Sequence, residues 1–231
     1  MSDFFSSSTF FAVGLTLLVW YLACTLQKKM KSVLLHPILI SVTVIILILF
    51  VLKIPNASYQ KGMNALSYLI TPATVCLALP LYEQAKILGK NLPAILVGVL
   101  AGTLTSLVSV FLLGKLFQID QSLLISLLPK SVTTAIGAPV SEALGGNSAI
   151  TVAAIIATGI LGSVFGPFLC KLCKLSEPIS QGTAIGTSAH VIGTSKANEM
   201  GALQGAVGSL SLVVAGLMTA FLLPILCSTL L

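Results

Sequence analysis

Residues 92–117 read LPAILVGVLAGTLTSLVSVFLLGKLF, and Lys115 is the only charged residue among them. A helix needs about 20 mainly apolar residues to cross the hydrocarbon core of a bilayer. This stretch therefore predicts a helix that spans a membrane. The fold class depends on how often the same pattern returns along the chain.

The pattern returns in five further runs, which we predict to be membrane spans: Phe5–Leu26, Val33–Leu52, Ala65–Tyr82, Ala149–Leu172 and Ala202–Leu230. The third of these runs contains Pro72 and Pro80, two predicted helix breaks, because proline lacks the backbone N–H that a helix needs. Polar residues predict a loop over Ile54–Asn64 and a short link over Glu83–Asn91.

The composition points to the same class. Of the 231 residues, 56% are hydrophobic and 8% are charged, and the mean hydropathy is +1.08. A soluble domain is about one quarter charged, so this chain has too few charges to cover a soluble surface. We predict an all-α polytopic membrane protein, with residues 1–231 forming a single transmembrane domain that passes through the cell membrane several times.

The basic residues lie between the apolar runs. The net charge is +6, and all 12 positively charged side chains are lysines. Their positions match those of lipid headgroups, which argues against nucleic-acid binding. Lys28, Lys29 and Lys31 make the first loop the most positive, so we predict that this loop faces the cytoplasm.

Two stretches, Ser122–Gly146 and Pro178–Gly201, are rich in Gly, Ser and Thr and do not fit a plain span. Irregular backbone is tolerated at membrane depth only where it is buried in protein or lines a wet cavity. We therefore predict two broken or re-entrant segments beside about six full spans. The alternative is a pair of surface loops. Pro129 and Pro139 are further predicted helix breaks.

Weak internal repetition supports this organisation. Thr134-Ala135-Ile136-Gly137 recurs as Thr183-Ala184-Ile185-Gly186. Each predicted unit is a broken segment followed by a long helix, and the three units cover about 71–118, 130–174 and 183–229. If the second unit begins with a re-entrant segment, successive long helices run in opposite directions, as inverted repeats require.

Lys130, Ser131, Thr133 and Thr134 place one cation and three hydroxyls beside a predicted helix break. A helix N-terminus presents free N–H groups and partial positive charge, so this group suits a small carboxylate. The alternative is that Lys130 extends to the membrane interface.

His190 lies in a second polar stretch with Thr187, Ser188 and Thr194. An ionisable group at membrane depth is costly and usually functional. Because an imidazole titrates near neutral pH, His190 is a candidate to bind an anion or carry a proton. The alternative is a histidine that is hydrogen-bonded between helices.

Glu142, Lys196 and Glu199 flank these stretches. Lys196 and Glu199 share a helix face, so a structural ion pair competes with a role in proton coupling. The sequence carries no metal-binding spacing, no nucleophile with a credible base and no phosphate-binding loop. We therefore predict no enzyme activity, no cofactor and no metal site.

Four segments together resemble a known family of bacterial membrane proteins, LrgB/CidB: Thr71–Tyr82, Pro129–Thr134, Gly159–Gly162 and Gly186–Thr194. Ala135, Gly137 and Asn198 depart from the pattern usual in that family. The resemblance covers about residues 36–224.

The resemblance implies two competing functions. One is transport of small monocarboxylates, such as pyruvate, glycolate and glycerate. The other is a holin- or antiholin-like role in controlling murein hydrolase export and cell lysis. It also implies a small membrane partner of the LrgA/CidA type. The broken segments, His190 and Lys130 favour transport. Proton coupling and assembly as a homo-oligomer are candidate features of that transport.

Overall fold

The computed structural model describes residues 9–30, 37–69, 72, 75–76 and 78–230. These residues form helices joined by short turns, with no strand among them, and this confirms the all-α class. The helices are α1 (Thr9–Met30), α2 (Pro37–Val51), α3 (Asn56–Ser67), α4 (Ala78–Glu83), α5 (Ala85–Leu116), α6 (Gln121–Leu127), α7 (Thr134–Ala143), α8 (Ser148–Leu172), α9 (Pro178–Met200) and α10 (Ala202–Leu230).

Four helices, α1, α5, α8 and α10, are long and apolar enough to cross a membrane. Their outer faces expose large apolar side chains, among them Val97 (68% exposed), Phe168 (61%) and Phe221 (74%). Exposed apolar surface of this extent is unfavourable in water and favourable in lipid. The chain is therefore a membrane protein. Helix α2, with 15 residues, is apolar but shorter than the other four.

The polar loop predicted over Ile54–Asn64 is wrong, because α3 occupies most of it. Helix α3 packs on α1 through the hydroxyls of Thr16 and Tyr59, which lie 2.6 Å apart. The link predicted over Glu83–Asn91 is likewise mostly helical, since α5 begins at Ala85. The span predicted over Ala65–Tyr82 is not one helix in the described residues. Helix α3 ends within it, and residues 70, 71, 73, 74 and 77 lie outside the described part.

The chain divides into two compact units, within Met1–Cys76 and Leu77–Leu231. In the first unit, α1 packs against both α2 and α3 and buries Ala12, Val19 and Ala23. Small residues at these positions let the helices approach closely, as is typical of helix packing in membranes. The prediction of one transmembrane domain and of three repeat-like units stays a prediction.

In the second unit, α9 and α10 form the most extensive helix–helix interface. A side-chain carbon at Gly186 would collide with the backbone of Gly208, so only glycine allows this approach. Helices α5 and α8 pack on either side of α9, and α7 packs on α8. The apolar core between α5 and α10 contains Ile95, Val99 and Val207.

Both stretches that were predicted to be irregular contain an interruption of the helix. Residues 128–133 form a turn between α6 and α7. Helix α9 is interrupted at Ala189 (φ −131°, ψ 17°) and His190 (φ 41°, ψ −141°). We call these the first and the second break. Their depth in a bilayer, and any re-entrant path, stay predictions.

The four prolines predicted as helix breaks behave differently from one another. Pro129 lies in the first break, as expected. Helix α7 continues through Pro139, which removes a single backbone bond from a helix that also packs on α8. Pro80 lies inside α4, so the described helix continues through this proline and the predicted break does not occur there. Residues on both sides of Pro72 lie outside the described part, so that break is not tested.

Candidate functional site

Side-chain caps hold the two outer ends of the segment that contains the first break. The Asp120 carboxylate accepts a hydrogen bond from the Ser122 N–H (3.0 Å) at the start of α6. The Asn147 side chain accepts one from the Ala149 N–H (2.9 Å) at the start of α8. The Asn147 N–H in turn donates to Ser126 Oγ on α6 (2.7 Å). These bonds satisfy helix N-termini and tie both ends of the α6–α7 hairpin together.

The turn places a cation on a chain of hydroxyls. Lys130 Nζ donates to Ser131 Oγ (3.1 Å), and Ser131 Oγ lies 3.1 Å from Ser106 Oγ on α5. Ser131 is 8% exposed, and Lys130 is half-buried. No carboxylate of the described residues forms an ion pair with Lys130. Lys130 is therefore a partly desolvated cation without a protein counter-ion in this part of the chain.

Lys130 and Ser131 line a cleft of about 600 Å³. One wall is a face of α5, another is the first half of α9 (residues 178–188), and the first break closes one side. Most of the lining is apolar or small, and the hydroxyls project from all three parts. Those used below are Ser106, Ser109, Ser131, Ser180, Thr183 and Thr187.

Glycines on α5 make room for the threonines of α9. A side-chain carbon at Gly98 would lie 3.2 Å from Thr183 Cγ2, and one at Gly102 would lie 2.9 Å from Thr187 Cγ2. The threonine methyl groups therefore pack against the α5 backbone, and α5 and α9 come close enough to form the cleft. Thr187 is 5% exposed, and its Oγ1 has no hydrogen-bond partner among the described residues.

The second break holds His190 away from the cleft lining. His190 is 4% exposed, and its Nε2 lies 2.8 Å from the Ile155 carbonyl of α8. A side-chain carbon at Gly159 would lie 2.5 Å from Cε1 of the imidazole, so the ring packs directly against the backbone of α8. Thr194 Oγ1 donates to the His190 carbonyl (2.8 Å). This geometry agrees with the alternative that His190 is hydrogen-bonded between helices. A role for His190 in binding an anion or carrying a proton stays a prediction.

The remaining predicted residues are dispersed. Thr187 and Ser188 line the cleft with Lys130 and Ser131. Thr133 caps α7 without a side-chain bond, Thr134 is exposed, and neither lines the cleft. Three further predicted residues lie outside the cleft lining. Glu142 is exposed on α7, and the partly exposed Lys196 forms an ion pair with the exposed Glu199 on α9 at 2.6 Å. Among the described residues, no group of three or more His, Cys, Asp and Glu is arranged to hold a metal ion.

The cleft-lining residues on α5 are not among those predicted from the sequence. Gly98, Gly102, Ser106 and Ser109 recur at intervals of three or four, which places them on one face of a helix. The apolar run over residues 92–117 predicts only a membrane span, although these small and hydroxyl residues form a stripe along one face of that span. On α9, Ser180 and Thr183 continue the spacing of Thr187 and were missed for the same reason.

Residues 16–229 match the LrgB-like family. Holin-like protein CidB of Staphylococcus epidermidis is 35% identical over 212 residues, which cover 92% of this chain and 93% of that protein. YwbG of Bacillus subtilis is 36% identical over 214 residues, 93% of this chain and 95% of that protein. Holin-like protein CidB of Staphylococcus aureus is 34% identical over 212 residues, again 92% and 93%. No solved structure matches the chain.

Proposed function

This chain belongs to the LrgB-like family, and from that premise we propose that it moves small organic anions across the cell membrane. The substrates would be monocarboxylates of the pyruvate, glycolate or glycerate type. One observation carries the proposal: Lys130 is a half-buried cation, unpaired by any described carboxylate, in a cleft rich in hydroxyls.

A carboxylate that leaves water for a low-dielectric site needs a compensating cation and hydrogen-bond donors. Lys130 offers the charge, and Ser131, Ser106 and Thr187 offer hydroxyl donors from the three parts of the cleft lining. A hydrogen bond between charged groups is about twice as strong as a neutral one. The volume of about 600 Å³ is within the usual range for small-molecule sites, and a three-carbon acid would share it with water.

The proposed transport path uses the two breaks. Interrupted helices in transporters commonly meet near the middle of the membrane, where their free backbone groups face the substrate. Ser131 of the first break lines the cleft, and so does Thr187, which lies in α9 just before the second break. Six spans, re-entrant segments and inverted repeats are part of this proposal, as is proton coupling through His190, Glu142 or Glu199.

The names of the similar proteins favour a second candidate function. Two of the similar proteins carry the name holin-like protein CidB, and that name fits the second function better than the first. In this alternative the chain is a holin- or antiholin-like regulator of murein hydrolase export and lysis. It would act with a small LrgA/CidA-like membrane protein or as a homo-oligomer.

Proteoliposomes separate the two functions. A transporter takes up labelled pyruvate or glycolate saturably, with competition between the two acids, and retains an encapsulated fluorescent dye. A holin-like protein releases the dye without saturation. We expect saturable uptake and dye retention, both with and without the small partner. Dye release that no carboxylate inhibits contradicts the transport proposal.

A further inference from the structure

A second, much smaller cavity lies beside the cleft. Its volume is about 10 Å³, which is about the space of one water molecule. It shares Ser106, Ser131 and Thr187 with the cleft, and Thr103 and Thr219 add two further hydroxyls. The rest of the lining is apolar side chains of α5, the first break and α10.

Two of these hydroxyls are buried without a partner. Thr103 on α5 is 4% exposed and Thr187 on α9 is 5% exposed, and neither Oγ1 bonds any described residue. Two other buried threonines have hydrogen-bond partners: Thr151 Oγ1 donates to Ser141 Oγ (2.8 Å), and Thr194 Oγ1 donates to the His190 carbonyl (2.8 Å). A buried hydroxyl without a partner destabilises the fold, so two of them at one cavity indicate a ligand.

The size and charge of the cavity restrict that ligand. Its volume admits one oxygen atom and excludes a whole carboxylate. No carboxylate lines it, and Lys130 Nζ donates to Ser131 Oγ, which belongs to the lining. A positive charge this close repels a cation and attracts an anionic oxygen. An anionic oxygen also gains the most from two hydroxyl donors, because charge-assisted hydrogen bonds are the stronger ones.

We propose that Thr103 and Thr187 form an oxygen subsite that receives one oxygen atom of the anion held in the cleft. The remainder of the anion stays on the cleft side, with Lys130 and Ser131. This inference rests on the proposed anion transport and adds the residues that orient the substrate. It also predicts that recognition of the anion depends on Thr103 of α5, and not only on residues in or beside the two breaks.

The test uses the full-length protein purified in detergent, with pyruvate as the probe. Thr103→Val and Thr187→Val remove one hydroxyl each and keep the side-chain shape. Without pyruvate, each variant should unfold at the wild-type temperature or above it. Each should bind pyruvate about tenfold more weakly or worse, as expected for the loss of a hydrogen bond to a charged group.

Two controls separate this role from a structural one. Thr151→Val breaks the bond to Ser141 and should lower the unfolding temperature without changing pyruvate affinity. Ser211→Ala removes another buried hydroxyl without a partner, outside both cavities, and should leave affinity unchanged. Thr187→Ser keeps the hydroxyl and should keep most of the affinity, which guards against misfolding of the valine variant.

The outcomes are distinguishable. If the wild type binds pyruvate and both valine variants bind it equally well, the subsite is overturned while anion transport stands. If the valine variants lose as much thermal stability as Thr151→Val, the hydroxyls serve the fold and the subsite is again overturned. If the wild type neither binds nor takes up pyruvate or glycolate, the proposed function fails, and the subsite fails with it.

Discussion

The first and the second break interrupt helices in different ways. The first is a six-residue turn, 128–133, that contains Pro129 and separates α6 from α7. The second is confined to Ala189 and His190, inside a helix that resumes at once. The first break faces the cleft with Lys130, whereas the second is buried against α8.

The residues that cause the two breaks differ as well. Pro129 is a local breaker, since proline removes a backbone donor wherever it stands. The second break has no proline, and its neighbouring glycines, Gly186 and Gly193, remain helical. A histidine takes the positive φ instead, although L-residues other than glycine rarely adopt it.

Contacts with α8 account for the second break. The side chain of Ala189 packs on Gly162, and the imidazole of His190 packs on Gly159 and bonds the Ile155 carbonyl. Strained backbone of this kind persists only where surrounding structure over-determines it. The comparison shows that a break can be encoded by its own residues or imposed by a neighbouring helix.

The largest expected effect is a difference in transport between variants of two lysines, Lys130 in the first break and Lys196 beyond the second. Lys130→Ala should reduce the initial rate of pyruvate uptake at low concentration about ten- to a hundredfold, because it removes a hydrogen bond worth about 1.5–3 kcal/mol to a charged group. Lys196 is partly exposed and paired with Glu199. Lys196→Ala should therefore leave uptake unchanged and alter stability by less than about 1 kcal/mol. Equal uptake by Lys130→Ala and wild type, in equally folded protein, removes Lys130 from the site.

The next prediction tests the packing behind the second break. Gly159→Ala places a carbon 2.5 Å from the imidazole of His190 and should destabilise the protein by about 2 kcal/mol through overpacking. On the same helix, Gly166→Ala meets Ile185 at 3.4 Å, an ordinary contact, and should be neutral or stabilising. Thermal unfolding in detergent measures both variants. Similar stabilities for the two would mean that α8 does not impose the second break.

The smallest effect tests the strained backbone itself. His190→Gly should be about 1 kcal/mol more stable than His190→Ala, because glycine adopts φ 41° without steric cost and both variants lose the same imidazole. At Ser195, an exposed helical position of α9, the order should reverse, with alanine more stable than glycine by about 0.5–1 kcal/mol. Thermal unfolding of the four variants gives both differences. The same order at both positions would contradict strain at His190.

Much of the fold follows from composition and local pattern. The long apolar runs predict α8 and α10 with nearly their observed bounds, and they predict α5 except for its first turns from Ala85, because a helix in lipid needs only enough consecutive apolar residues. The polar stretches around residues 130 and 190 each predict a helix interruption. They also predict Lys130, Ser131, Thr187 and Ser188 as candidate ligands, and the structure places these four residues in one cleft. These features are local, so they can be read along the chain.

Tertiary structure decided the rest. The strained residue is His190 rather than a glycine because α8 supplies bare backbone at Gly159 and an acceptor at Ile155. The predicted ligands His190 and Thr194 do not line the cleft: the His190 imidazole bonds the Ile155 carbonyl of α8, and Thr194 bonds the His190 carbonyl within α9. Thr103 has no sequence signal that distinguishes it from other polar residues of an apolar span. Its buried, unpartnered hydroxyl exists only because α5, the first break and α9 converge on one cavity.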